Sequence, residues 1–467
     1  MDFQSLKDGY PRDPDYPARV FELAALQRVL DGTMYALLPH PFHEERNGAG
    51  EYVPLARRRP SARSRICRTV VDDAVSLLFS EGHFPAIDCA DAVTREALET
   101  VVREARLNEV MMAAAAAGAV GSVAIWLRVL KGRVFCSVLP TLYLTPQWLA
   151  DAPDVLASVT ERYKVKGAAL RAMGYAIDAD DDGRDFWFQR VWDARAERWF
   201  APWPVDDAKA GPVEDAARTV AHGLGFVPIV WIRNLPGGNG VDGEPTMPVE
   251  AIDCQIEIDY QLSQAGRGLR YSSDPTLLIK EPAFGDGPVV KGAANALVVS
   301  AEGDAKLLEI NGTAVSAVLD YVRTLRELAL EGAHGNRAHA DRISAAQSGR
   351  AMELMNQALI WLADRLRISY GEGAYLTLLN MIVAAAQRCA LVDRKGRALP
   401  RMDADAALGL RWPAWYAPTC ADELSEAQAL STLHGAGLLS RSAAVAVLAP
   451  AYGVGDVELE LARLVDE

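Results

Sequence analysis

The chain has 467 residues, 50% of them apolar and 24% charged, enough for a sizeable core in about two to four domains. That excludes a small stapled scaffold. Its 62 acidic and 48 basic residues leave a net charge of −14, which excludes a surface that clamps nucleic acid everywhere by neutralising phosphates. Looser passage of DNA past a mostly repulsive wall, touching a few basic groups, stays open.

The six cysteines, Cys67, Cys89, Cys136, Cys254, Cys389 and Cys420, form no C-x-x-C pair and read as reduced thiols. The first residues carry no apolar stretch behind a basic start, so no secretory signal is expected, and the protein is expected to be made and used inside a cell. Residues 110–127 lack a charge. Their alanines and glycines, followed by a β-rich run, predict a buried helix and then a strand rather than a membrane span.

The first sixty residues are rich in proline and arginine. Pro11, Pro14, Pro17, Pro39, Pro41, Pro54 and Pro60 limit helix to a short pattern at 18–31, which predicts an arm or wrapping segment. Helical spacing of apolar residues predicts helices over 64–80 and 94–117. Short β runs follow at 122–130, 133–139, 156–164, 184–192, 197–201 and 227–233. Five of the ten tryptophans fall between Trp148 and Trp203, as expected for large side chains covering a sheet with a thin core.

Pro248 then opens a helix carrying Val249, Ile252, Ile256, Tyr260 and Ser263, predicted to run to about residue 271. A compact glycine-punctuated β segment at 276–310 separates it from a second helix at 313–332, which carries Val315, Leu319, Val322, Leu325, Leu328 and Leu330. A polar stretch at 334–349 leads into a helical pattern over 350–392, with Gly371 and Gly373 offering a place to bend. Three short helices are expected over 422–438, 440–449 and 455–465, in a region with eight Asp or Glu against two Arg. The fold class is α+β.

Several motifs suggest chemistry that their context does not support. Gly238-x-Gly240-x-x-Gly243, with Asp259 downstream, matches a dinucleotide-binding pattern, so an intracellular nucleotide-cofactor enzyme is the alternative reading. Pro245 and Pro248 part the glycines from the helix, no βαβ alternation surrounds them, and a flexible loop is expected. Asp178, Asp180, Asp182 and Gly183 reproduce the first half of a calcium loop, but Gln189 stands where the bidentate Glu belongs; an acidic hairpin tip is expected. His40, His43, Glu44 and Glu45 lack the second histidine of a zinc helix. No nucleophile elbow and no phosphate-binding loop is present, so no catalytic residue, metal or cofactor is expected. Two basic clusters remain: Arg57, Arg58, Arg59, Arg63, Arg65 and Arg68, and Arg337, Arg342 and Arg350. On charge alone the second reads as a solvated loop; between two long helices it suits a mobile contact to phosphates.

In order, these elements resemble the portal protein of tailed bacteriophages and related gene transfer particles, over most of the chain. The matching text is Val70-Val-Asp-Asp-Ala-Val-Ser-Leu-Leu-Phe, Phe226-Val-Pro-Ile-Val-Trp-Ile-Arg-Asn, Ser348-Gly-Arg-Ala-Met, Leu433-His-Gly-Ala-Gly-Leu-Leu-Ser-Arg-Ser and Asp456-Val-Glu-Leu-Glu-Leu-Ala-Arg-Leu. Each is weak alone; their order is the specific signal.

The resemblance implies long stem and wing helices, a β-rich wing sheet, a small β clip between two stem helices, and a helical C-terminal crown. By residue it implies an N-terminal arm at 1–60, the wing at 61–247, the first stem helix at 248–275, the clip at 276–311 and the second stem helix at 312–333. A tunnel loop at 334–347, the long wing helix and connector at 348–421, and the crown at 422–467 complete the chain. The arm departs from the family's pattern, and its role does not transfer.

Functionally the resemblance implies a non-enzymatic ring, usually dodecameric, at one capsid vertex of a virion assembled in the host cytoplasm. Double-stranded DNA passes through the ring during packaging and ejection. Asn336, Arg337, His339, Arg342 and Gln347 would face the DNA channel. Ile252, Ile256, Tyr260, Leu319 and Val322 would form the stem subunit interface, and Lys280, Glu281, Phe284 and Lys291 would dock the motor and adaptor. The implied partners are further copies of the chain, DNA, the terminase large subunit, the major capsid protein and scaffold, and a head–tail adaptor, with no membrane. A different head–tail connector is the remaining alternative; it would lack the long hairpin and tunnel loop.

Overall fold

A computed structural model describes residues 1–273, 276–282, 299–308, 312–335, 353–354, 356–416, 420–449, 454 and 457–466. The N-terminal segment contains α1 (Phe3–Asp8) and α2 (Ala18–Asp31), then two-residue strands β1 (His40–Pro41) and β2 (Arg58–Arg59) that pair in parallel. It is not a free arm. Phe3, Leu6, Leu23, Val29, Met34 and Tyr35 are buried in the main core, so the prolines shape a wrapping segment whose apolar side chains are part of the body.

Next come α3 (Ile66–Phe79), β3 (Ala86–Cys89), α4 (Ala92–Glu104) and α5 (Leu107–Gly118). The helix expected over 94–117 is two helices, because Arg106 takes the left-handed conformation at φ 52° and redirects the chain. Asp91 caps α4 by accepting the Thr94 N–H at 2.9 Å.

The predicted β runs are all present. Strands β4 (Ser122–Leu130) and β5 (Arg133–Pro140) form a hairpin, and β13 (Ile229–Arg233) joins β4 to complete an antiparallel three-stranded sheet. Between them lie β6 (Leu144–Trp148), β7 (Leu156–Lys166), α6 (Gly167–Ala172), β8 (Asp185–Asp193) and β9 (Ala196–Ala201), with short strands β10 (Trp203–Pro204), β11 (Val213–Glu214) and β12 (Val220–Ala221). These strands make a seven-stranded sheet in which β11, β9, β8, β7 and β6 are successive neighbours, with β10 on β8 and β12 on β9. Trp126 and Trp192 meet edge to face at 5.3 Å, joining the two sheets over a small second core.

The remaining elements are α7 (Val249–Ser273), β14 (Thr276–Pro282), β15 (Val299–Leu308), α8 (Gly312–Gly332), α9 (Gln357–Leu366), a π-helical segment (Arg367–Leu376) and α10 (Thr377–Ala386). Strand β16 (Leu408–Arg411) pairs with β3, a long-range contact that local pattern does not reveal. Helices α11 (Cys420–Gly435), α12 (Arg441–Leu448) and α13 (Val457–Asp466) close the chain. Among the described residues, no helix is long and apolar enough to cross a membrane; the uncharged run at 110–127 is divided between α5 and β4.

The long helix changes pitch where Gly371 and Gly373 stand. Tyr370 and Tyr375 are five residues apart and both fully buried, an alignment that a π turn provides and an α-helix does not. A Cβ at Gly371 would lie 2.5 Å from the Trp412 ring, and one at Gly118 would overlap the Tyr370 hydroxyl. Glycine at each position therefore permits close packing of α5 and the Trp412 segment on this helix.

The wrapping segment is locked by charge. Arg19 grips Asp242 with Nε and Nη2 at 2.6 and 2.7 Å, while its Nη1 donates to the Thr141 and Leu144 carbonyls at 3.0 Å. Burial alone would raise the Asp242 carboxyl; hydrogen bonds from Arg19 and Ser122, with the Arg19 charge, outweigh it and hold the group below the usual carboxylate range.

Arg19→Ala is expected to destabilise the fold by about 3 kcal/mol, since it strands a buried carboxylate. A depressed carboxyl contributes stability above its unfolded pKa and loses it as pH falls through its folded value. The gap between wild type and variant in chemical denaturation should therefore shrink below about pH 4. Gly118→Ala should cost about 1–3 kcal/mol by the same measurement, because Tyr370 must move.

Candidate functional site

The candidate site is the excursion formed by α7, the β14–β15 hairpin and α8, together with the base that anchors it. The base begins with a polar stripe. Gln255, Asp259 and Ser263 recur every four residues along α7 and are buried. They accept the backbone of the chain entering α3: the Ser61 and Ala62 N–H groups donate to Ser263 Oγ at 2.9 and 3.0 Å, Ser64 to Asp259 Oδ1 at 2.7 Å, and Cys67 to Gln255 Oε1 at 2.9 Å.

Helix α3 has no side-chain cap of its own, so Gln255 satisfies one of the N–H groups its first turn leaves unpaired. Asp259 also accepts the Tyr35 hydroxyl at 3.0 Å, and Tyr260 donates its hydroxyl to the Arg58 carbonyl at 2.8 Å. Burial is the main cause that raises the Asp259 carboxyl, against the hydrogen bonds that lower it. Burial first, and Asp259 second, push the Tyr35 phenol well above its ordinary range.

This geometry corrects the expected subunit interface. Ile252 and Ile256 are completely buried and Tyr260 is 7% exposed within the single chain, so none has surface to give a neighbour. The apolar spacing of α7 is spent on the chain's own core. An aspartate at position 256 would report on folding rather than on assembly. Leu319 is 43% exposed and Val322 is half-buried.

Helix α8 buries Leu325 and Ala329, with Ala333 buried just beyond its end, yet leaves Tyr321 and Leu328 about half exposed. Opposite the buried stripe lie Asp320, Glu327 and Glu331, all exposed, with Arg323 paired to Asp320 at 2.9 Å. Sequence periodicity placed Leu319, Leu325 and Leu328 on one apolar face. That arc is wider than a single face can bury, which was the available signal for Tyr321 and Leu328 as surface residues.

In the hairpin, Lys280 is exposed and lies opposite Asp304 in the antiparallel register, a favourable cross-strand charge pair. Glu281 is in β14, while Phe284 and Lys291 lie outside the described residues, as do Asn336, Arg337, His339, Arg342, Gln347 and Arg350.

The other candidate motifs serve the fold. In the glycine loop, the Gly243 N–H donates to the Gly121 carbonyl at 2.9 Å and Asp242 is held by Arg19, while Asp259 is buried in the base. Gly238 and Gly240 are exposed while Asp242 and Gly243 are buried, and the acid at 259 that the dinucleotide pattern would use is buried in the base of α7, so the structure does not assemble that site. Asp182 pairs with Arg171 and Asp181 with Arg184, and His40 meets Glu44 at 3.0 Å. Among the described residues, no group of three or more His, Cys, Asp or Glu is placed to hold a metal. Arg58 is buried and donates to the Val53 carbonyl, Arg65 to the Leu30 carbonyl, and Arg68 pairs with Asp72, so these members of the first arginine cluster are tied internally.

At the C-terminal end, Leu424, Leu433, Leu438, Val447 and Leu459 are exposed. Among the described residues, none of α11, α12 or α13 belongs to the hydrophobic clusters of the body.

No family model and no curated protein matches the chain. Among solved structures, the chain is similar to the neck of an empty gene transfer agent (GTA) particle computed with C6 symmetry. The identity is 12% and the TM-score 0.43, over 82% of this chain and 88% of that one.

Proposed function

We propose that this chain is a portal-type structural protein. In this reading it closes into a dodecameric ring at one capsid vertex, conducts double-stranded DNA, and docks the terminase motor and later the head–tail adaptor through its hairpin. It has no catalytic role; the motor chemistry belongs to the partner.

The observation that carries the reading is the state of α8. It projects beside α7 with half-exposed apolar residues on both flanks and, between them, a stripe of Asp320, Glu327 and Glu331 in which Arg323 offsets Asp320. A lone chain in water gains nothing from such a surface, whereas a ring covers both flanks and turns the remaining stripe toward the bore. A carboxylate wall suits a conduit: each phosphate neutralised would release counterions and add affinity that stalls movement. The order of the sequence motifs supports the same reading.

Replacing Asp320 and Glu327 with lysine should make assembled rings bind duplex DNA at least tenfold more tightly at low salt, with affinity falling steeply between 50 and 200 mM salt. Gel-shift titration of wild-type and variant rings measures this. Equal affinity for both would remove the wall from the account. Deleting residues 338–345 should leave rings intact but lower packaged DNA per particle; unchanged packaging would remove the tunnel-loop role.

A further inference from the structure

The two flanks of α8 differ, and the difference gives the ring a direction. On one side of the buried stripe, α3, α7 and α8 enclose a groove of about 380 Å³. Its floor includes Ile66, Leu262, Val322 and Leu330, and its rim carries Asp73 and Arg326. On the other side, Tyr321 and Leu328 are 46% and 52% exposed and stand one helical repeat of seven residues apart, forming a ridge. Groove and ridge lie on opposite flanks of one helix, so a single partner cannot engage both.

We infer that the Tyr321–Leu328 ridge of one copy seats in the groove of the next, head to tail. This rests on the ring reading and assigns its stem contact. A two-fold contact would present the same patch twice; a groove and a ridge that face apart generate a repeating, closing contact instead.

Charge favours the same seating. Arg326 has no ion-pair partner among the described residues, and the ridge of the incoming copy is bordered by its carboxylate stripe. Seating the ridge brings Arg326 of one copy toward the carboxylates of the next. It also covers apolar groove floor that water otherwise wets.

Cysteine cross-linking tests the contact. Thr69 lines the groove at an exposed position, and Leu328 is on the ridge. In a Cys420→Ser background, Thr69→Cys and Leu328→Cys are made singly and together and treated with a short bismaleimide. The double variant should give a ladder of multimers ending at the closed ring, an equal mixture of the two singles should give dimers only, and each single alone should give none. Wild-type rings in micrographs, with no ladder from the double variant, would overturn this contact and leave the ring reading standing. Self-cross-linking of either single would overturn it in favour of a two-fold contact. Failure of wild-type chains to form rings at all would overturn the ring reading itself.

Discussion

Two antiparallel helices leaving a protein body share only one seam, and everything that stands off that seam is exposed to water. Here the seam is fixed at its base by three polar side chains of α7. Gln255, Asp259 and Ser263 receive the backbone of the segment entering α3, so helix, wrapping segment and body are joined through buried and partly buried hydrogen bonds. Because that base is built inside one chain, contacts within the chain set the direction of the excursion.

The rest of the chain divides its work around that base. The wrapping segment ties the sheets to the glycine loop through Arg19 and Asp242, and the π-helical segment brings Tyr370 and Tyr375 into the core together. Among the described residues, Arg58, Arg65, Arg68 and His40, which could suggest nucleic-acid or metal chemistry, are occupied with such internal contacts. Among the described residues, Leu319, Tyr321 and Leu328 on α8 and Leu424, Leu433 and Leu459 on the C-terminal helices remain exposed.

Local pattern made most of the fold legible. The run at 122–130 became β4 with the same limits, and the helix opened by Pro248 became α7 within a residue or two of expectation. Three features were not legible, each because it depends on distant partners. The break at Arg106 needs the body to hold a left-handed residue, β16 needs β3 more than 300 residues earlier, and the N-terminal prolines hide apolar side chains that reach the core. The site was less legible than the fold. Periodicity shows that Ile256 and Leu328 are both apolar on long helices, but only the packed structure shows that one is spent inside the chain and the other is left outside.

The central claim is that many copies close into an annulus. Cryo-electron microscopy of the purified full-length chain, with mass photometry of the same sample, tests it most directly. The account predicts closed rings of a single order with the α7–α8 excursions gathered around an open bore. Particles that remain single chains or two-fold dimers across protein concentration, salt and pH would contradict it.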